Sequence, residues 1–241
     1  MDSQRSTGAG RPTTDRVKHI FSTIAPEYDR FNALSSMGID RHWRRKAVVL
    51  ARLRRTSEVL DLAAGTGDLT MALAEYGRPA SILSTDFVPE MLEVGRAKAA
   101  AYEGETRIEF QVVDAQELPF ADESFDVVTV AFGVRNLPDR AANFREVHRV
   151  LRPGGRYIVL EFSRPPFGPF RSLYHFYLRT VIPILGGRLT GDRESFQYLN
   201  DSILQFPGQV ALAGELHRAG FGEVLWRNLT FGIVAVHVAV K

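Results

Sequence analysis

Val59-Leu60-Asp61-Leu62-Ala63-Ala64-Gly65-Thr66-Gly67-Asp68-Leu69-Thr70 is the stretch on which the fold turns. Its first five residues are apolar except for Asp61, the composition of a strand buried on both faces, and residues 69–76 carry helical spacing. Between them, Gly65 and Gly67 can take positive φ and put no Cβ in a ligand's way, while the start of the helix offers free amides. A Gly-x-Gly alone says little. Placed after a strand and before a helix, it reads as a ligand-binding turn. Asp86 ends the next apolar run, 19 positions beyond Gly67. There its carboxylate can accept both hydrogen bonds of a ribose diol, or equally cap the turn Phe87-Val88-Pro89-Glu90. A dinucleotide fingerprint would place its third glycine at position 70, where this chain has Thr, so the pattern favours a mononucleoside cofactor.

Outward from this centre, residues 59–63, 81–85, 108–113, 125–132 and 156–162 read as buried strands. Residues 69–76, 90–101 and 141–151 read as helices, the last closed by Pro153-Gly154-Gly155. Such alternation requires a parallel sheet with crossovers. A helix over 209–218 leads to strands 223–230 and 233–240, joined across Phe231-Gly232 as a hairpin. The expected fold is therefore α/β and Rossmann-like, a mostly parallel seven-stranded sheet with a C-terminal antiparallel hairpin, N-terminal helices and a helical cap. One domain is expected over 15–241 after a disordered tail, 1–14. Within it lie N-terminal helices (15–55), a cofactor-binding core (57–164), a cap insertion (165–208) and the C-terminal helix and hairpin (209–241). In the first of these, Val17, Ile20, Phe21 and Ile24, then Trp43, Ala47 and Leu50, recur at helical spacing around a connection at 26–40.

With 45% hydrophobic and 24% charged residues, 241 residues suffice for one well-buried domain. No run of about 18 apolar residues and no apolar leader occurs, so a cytoplasmic protein is expected. The absence of cysteine excludes disulfides, thiolate catalysis and cysteine-ligated zinc. Six scattered histidines lack metal-ligand spacing, and no metal is expected. The net charge of +2 hides a basic N-terminal part: residues 41–55 hold seven basic side chains and no acid. That run suits phosphate or an anionic membrane surface, or is a solvated helix face.

Asp114-Ala115, at the end of the third strand, falls near the expected adenine, where Asp114 can accept from the exocyclic amine or cap the strand. The series of residues 61–70, Asp86, Asp114-Ala115, Leu118-Pro119-Phe120 and Phe125-Asp126 resembles the class I S-adenosylmethionine-dependent methyltransferases. Narrower are Phe21-Ser22-Thr23-Ile24-Ala25-Pro26-Glu27-Tyr28-Asp29-Arg30-Phe31-Asn32, Ser36-Met37-Gly38-Ile39, Trp43, Phe132-Gly133-Val134-Arg135-Asn136 and Leu160-Glu161-Phe162-Ser163. These resemble the ubiquinone/menaquinone biosynthesis C-methyltransferase family (UbiE/MenG type) over about residues 16–241. Ala63 and Ala64 depart from it where relatives often carry glycine, and Ala131 where some carry a cofactor-contacting serine.

The resemblance implies methyl transfer from S-adenosylmethionine, leaving S-adenosylhomocysteine, to a ring carbon of a polyprenylated demethylquinol. Demethylmenaquinol is preferred to the ubiquinone-pathway benzoquinol. It implies Thr66, Asp86, Asp114 and Ala115 at the cofactor, joined by Asp61, Gly65 and Gly67 of the turn. Past the fourth strand, Arg135 would stabilise a ring oxyanion and Asn136 orient the hydroxyl, or the two would form a loop salt bridge and turn cap. Tyr28 and Asp29 would close over the cofactor, Asp29 also being a candidate base, or Tyr28 would equally only pack on the sheet. His175, Tyr177 and Tyr198 are weaker candidates, and His148 is expected to be structural. The cap, with Phe170, Leu173, Tyr174, Phe176 and Tyr177 among Arg171 and Arg179, would shelter a prenyl tail, touch the membrane surface, or form a homodimer contact. Methylation of RNA and a non-enzymatic membrane scaffold are the competing readings. No RNA-binding module is apparent, and no nucleic-acid partner is expected.

Overall fold

A computed structural model describes residues 28–182 and 193–241 together with Lys18, Phe21, Ser22 and Ile184, without the side chains of Tyr28, Phe31 and residues 193–196. The tail expected over 1–14, the helical positions Val17, Ile20 and Ile24, and cap residues 183 and 185–192 lie outside the described residues.

Seven strands form one sheet: β1 (Glu58–Leu62), β2 (Ser81–Asp86), β3 (Arg107–Val112), β4 (Phe125–Ala131), β5 (Leu151–Phe162), β6 (Glu223–Leu229) and β7 (Val234–Val240). Their order is β3-β2-β1-β4-β5-β7-β6. β1 to β5 are parallel, while β7 runs antiparallel to both β5 and β6, as the terminal hairpin requires. Strand alternation divides the core between two faces. Leu60, Leu62, Val128 and Tyr157 pack on one side with Phe144, Val147 and Leu216. Val59, Val127, Ile158 and Leu160 pack on the other with Trp43, Ala47, Leu69 and Leu73.

The helices are α1 (Tyr28–Ser36), α2 (Asp40–Ala51), α3 (Asp68–Ala72), α4 (Pro89–Ala99), α5 (Arg140–Val150), α6 (Gly168–Phe176), α7 (Arg193–Gln205) and α8 (Gln209–Arg218). Four sequence expectations change. β3, read as a buried strand, is the largely exposed edge of the sheet. The connection expected at 26–40 is largely α1: Asp29 in its first turn suits the helix dipole, and the chain reverses only at Met37 and Gly38, both at positive φ. Helix 69–76 loosens from α3 into a π turn at Leu73–Gly77. Pro153-Gly154-Gly155 does not close α5, because the chain is already extended at Leu151. Those residues bulge from β5, whose register steps from Phe125 opposite Leu151 to Val127 opposite Arg156.

The basic run at 41–55 is not one surface. α2 turns Trp43, Arg44, Ala47 and Val48 inward, so one of its charges is buried beside the sheet. Long-range bonds tie the outer elements together: Trp43 Nε1 donates to Thr230 Oγ1 of the hairpin turn (2.8 Å), and the Tyr177 hydroxyl, just after α6, donates to Ser35 O of α1 (2.9 Å).

Candidate active site

Chain order reverses direction across the sheet between β1 and β4, which leaves a crevice at the carboxyl ends of the strands. The loops after β1, β2, β3 and β4 line it. Asp61, Gly65, Thr66, Asp86, Asp114, Ala115 and Asn136 all border this one cleft. Gly67, Asp29 and Arg135 do not border it, and the Tyr28 side chain is outside the described residues.

Register explains why Asp61 can be buried in a strand. Its neighbours across the sheet are Ser84 on β2 and Thr129 on β4. Thr129 Oγ1 donates to Asp61 Oδ1 (2.6 Å) and Thr70 Oγ1 to Asp61 Oδ2 (2.7 Å), so the carboxylate fixes the start of α3 against the sheet. Asp86 holds the turn itself. Its two oxygens accept from Gly65 N and Val88 N, each at 2.9 Å. The capping role is therefore present, and each carboxylate oxygen keeps a further lone pair for a ligand. Burial pushes both Asp61 and Asp86 up to about 6. Asp114 also caps its own turn, accepting from Gln116 N (2.8 Å).

Backbone strain concentrates here. Ala63 (φ 47°) and Phe132 (φ 59°), the residues just after β1 and β4, are in the left-handed region, as are Gly65 at 56° and Gly67 at 79°. A Cβ on Gly67 would lie 3.3 Å from the Gly95 backbone, so the loop and α4 approach through paired glycines. Gly67→Ala is expected to destabilise the fold by about 1–2 kcal/mol from its φ alone, read as a lower urea midpoint at unchanged slope.

Sequence reading missed a charge network beside the loop. Buried Arg44 pairs with Asp40 and with Asp68 Oδ2 (3.2 Å). Lys98 Nζ lies 2.6 Å from Asp68 Oδ1 and 2.5 Å from Asp29 Oδ2, and Asp29 Oδ1 accepts from Thr66 Oγ1 (2.5 Å). Both Asp29 oxygens are thereby engaged, joining α1 to the glycine turn. The Asp40/Arg44 spacing on an apolar helix face was the one signal of this in the sequence.

The Val134–Asn136 turn divides two spaces. Asn136 faces the cleft and accepts from the Tyr198 hydroxyl (3.3 Å). Arg135 lines a separate, largely apolar cavity of about 600 Å³, with Trp43, Phe162, Tyr174, Leu178 and Phe231. Its guanidinium donates to Phe132 O and to Glu161 Oε1 (2.9 Å), its backbone amide donates to Glu161 Oε2 (3.3 Å), and the group stands over the Phe162 ring. Burial pushes Glu161 up, opposed by the adjacent Arg135 charge. Of the weaker candidates, Tyr177 lines the apolar cavity and its hydroxyl donates to Ser35 O; His148, expected to be structural, packs edge-on against Phe221. Among the described residues no cluster of His, Asp or Glu could hold a metal ion, and no helix is long and apolar enough to cross a membrane.

The sequence profile of the ubiE/COQ5 methyltransferase family matches residues 11–241. The chain belongs to that family. It is 46% identical over 219 residues to the "Demethylmenaquinone methyltransferase" of Thermus thermophilus, covering 91% of this chain and 98% of that one. It is 42% identical to the "Ubiquinone/menaquinone biosynthesis C-methyltransferase UbiE" of Geotalea daltonii, over 94% and 97% of the two chains. Among solved structures, the [4+2]-cyclase SpnF superposes with TM-score 0.69 at 17% identity, over 98% of this chain and 99% of that one. A Thermotoga maritima SAM-dependent methyltransferase, described as a possible histamine N-methyltransferase, gives 0.67 at 19% identity, over 92% and 98% of the chains. These two likenesses establish the Rossmann-like fold of this chain; its family rests on the sequence matches.

Proposed function

We propose that this chain transfers the methyl group of S-adenosylmethionine to a ring carbon of a polyprenylated demethylquinol, with demethylmenaquinol as the substrate. The observation that carries this is the pairing of spaces: a cleft at the sheet's switch point, bordered by the carboxylates of Asp61, Asp86 and Asp114, adjoins an apolar cavity, with the Arg135-Asn136 turn between them. A nucleoside cofactor suits the first and a prenylated ring the second. The name of the Thermus relative supports the naphthoquinol over the benzoquinol.

The cleft fits the cofactor by its own chemistry. A Cβ on Gly65 would meet nothing within 4 Å, so the turn opens freely onto the cleft, and buried carboxylates stand on either side of it. Asp86 would hold the ribose diol, Asp61 the amino group, Asp114 and Ala115 the adenine, and Thr66 with Gly65 and Gly67 the remainder. When bound, S-adenosylmethionine supplies an electrophilic methyl on a sulfonium. The protein's task is then to align the ring and make its carbon nucleophilic. Arg135, fixed by Glu161, stabilises the ring oxyanion, and Asn136, held by Tyr198, orients the hydroxyl.

Asp29 is better placed as a latch than as a base, because Lys98 and Thr66 occupy both its oxygens; Tyr28 begins the same helix. Asp29→Asn is expected to raise KM for S-adenosylmethionine by about tenfold while leaving kcat within about twofold. A general base would instead show a fall in kcat of about 10²–10⁴ in the same steady-state assay.

Lipid access would run through the mouth of the apolar cavity. Met37, Leu173, Phe176 and Phe231 line it and are exposed, with Arg171 and Arg179 on the same cap segment. This supports transient contact with an anionic membrane surface. The deciding experiment incubates purified protein with labelled S-adenosylmethionine and a reduced short-chain demethylnaphthoquinol, beside 2-polyprenyl-6-methoxy-1,4-benzoquinol. A C-methylated naphthoquinol is expected; cofactor binding without transfer to any quinol would overturn the reading, and preference for the benzoquinol would overturn the choice of ring.

A further inference from the structure

β3 forms one edge of the sheet and β6 the other, and the two edges are finished differently. On β3, Arg96 of α4 donates to Phe110 O (3.1 Å) and stands over the Phe110 ring, while Arg107 and Glu109 pair with each other at 3.4 Å. On β6, among the described residues, no side chain bonds to the strand's backbone, and the exposed Glu223 and Arg227 form no ion pair. Leu225 between them is 60% exposed. Trp226 is 42% exposed although it stacks on His237, and Val210, in the first turn of α8, is 74% exposed. Gln209 Nε2 ties that end of α8 to the strand by donating to Asn228 Oδ1 (3.0 Å). An unprotected edge beside exposed apolar side chains is a template for a further strand.

The strand that fits this edge is β6 itself. In an antiparallel pairing of two copies about a two-fold axis through Leu225, that leucine faces its own copy, Val224 faces Trp226, and Glu223 faces Arg227. Alternation puts Glu223, Leu225 and Arg227 on one face, so two ion pairs flank one leucine contact. The other face gains two valine–tryptophan pairs, an aromatic against a β-branched side chain. Charges on an edge strand usually keep other strands away. Here they have opposite signs and stand symmetrically about Leu225, so they repel a generic strand less than they attract a second copy of this one. Moving the axis to Val224 or Trp226 sets each charge opposite Leu225, Phe221 or Leu229, which specifies the register.

We propose that two copies of this chain form a weak two-fold dimer by pairing β6 with β6, which joins their sheets edge to edge. The cleft between β1 and β4 lies three strands in from this edge, and the two-fold axis turns the clefts of the two copies toward opposite ends of the joined sheet. One strand and a few side chains from each copy bury less than a standard interface, so a dissociation constant of about 10–100 µM is expected.

Sedimentation equilibrium of the full chain, from about 1 to 500 µM, measures this association. Glu223→Arg and Arg227→Glu should each weaken it by at least about tenfold, because each sets like charges opposite one another twice. The double variant, Glu223→Arg with Arg227→Glu, exchanges the members of each ion pair and should return to within about threefold of the native constant. An equimolar mixture of the two single variants should also dimerise at about the native constant, since one chain then offers two basic residues to the other's two acidic ones. Both side chains are exposed, so the Tm of every variant should stay within about 2 °C of native, which reports that each is folded. A native chain that stays monomeric throughout would overturn the proposal. A dimer indifferent to the single variants would assign association to another face, such as the cap, and overturn it as well. Weakening in both single variants with no recovery in the double variant or the mixture would remove the pairing of Glu223 with Arg227, and the proposal with it.

Discussion

Arg135→Met is expected to lower folding stability by about 3–5 kcal/mol and to abolish methyl transfer, because it leaves Glu161 buried without its counter-charge. In the native protein that carboxylate is buried and accepts from the guanidinium, from the Arg135 backbone amide and from Phe162 N. The two readouts separate when the partner is also removed. Arg135→Met with Glu161→Leu should recover most of the lost stability, since well-packed apolar groups often replace a buried ion pair at little cost. Methyl transfer should stay lost, because the oxyanion partner is still missing. The single variant should also be less destabilised at acid pH. Glu161 already titrates above its ordinary value through burial, and loss of Arg135 raises it further, so protonation on lowering the pH removes the unpaired charge. Urea titrations at neutral pH and near pH 5, beside a transfer assay, check both halves; recovery of activity in the double variant would remove Arg135 from the chemistry.

Asp86→Ala should weaken S-adenosylmethionine binding by at least about 100-fold, the sum of charge-assisted bonds worth about 1.5–3 kcal/mol each. One set is expected to the ribose, and the other is internal, since Asp86 holds Gly65 N and Val88 N in the shape of the turn. The pH dependence carries its own sign. Burial raises the folded pKa of Asp86 to about 6 from 3.8, so between these values the folded state binds more protons than the unfolded chain. Stability therefore rises as the pH falls from about 6 toward 4. Cofactor affinity should fall over the same interval, because protonation removes an acceptor lone pair, and Asp61, also raised to about 6, acts in the same direction. Calorimetric binding and thermal unfolding across pH 4–7 should move oppositely. Parallel changes would show that Asp86 supports only the fold.

The glycine turn and Asp86 were readable because their chemistry is local: a strand end, two positive-φ glycines and a strand-end acid within 30 residues. The double duty of Asp86 was less plain. Asp86 as a cap or as a ribose acceptor are alternatives in a sequence, whereas in space its oxygens serve the cap and still face the cleft. Arg135 was read as either an oxyanion partner or a salt-bridge residue. Its ion pair with Glu161 is present, and the same side chain lines the apolar cavity. α1 went unseen because its Asn and Ser residues and the Met37-Gly38 turn resemble a connection, and its hold on the molecule comes from distant partners such as Tyr177 and Thr66.

Strand and helix order, the hairpin at the C-terminal edge and the place of the nucleoside turn follow from hydrophobic period and turn chemistry, which act over a few neighbouring residues. The joining of Asp29 to Lys98 and of Arg135 to Glu161 does not. Charges carry no periodic signature, and their partners are chosen by which segments the sheet's crossovers bring together. The cleft at the glycine turn thus belongs to the local sequence, and the shape of the apolar cavity belongs to the assembled fold.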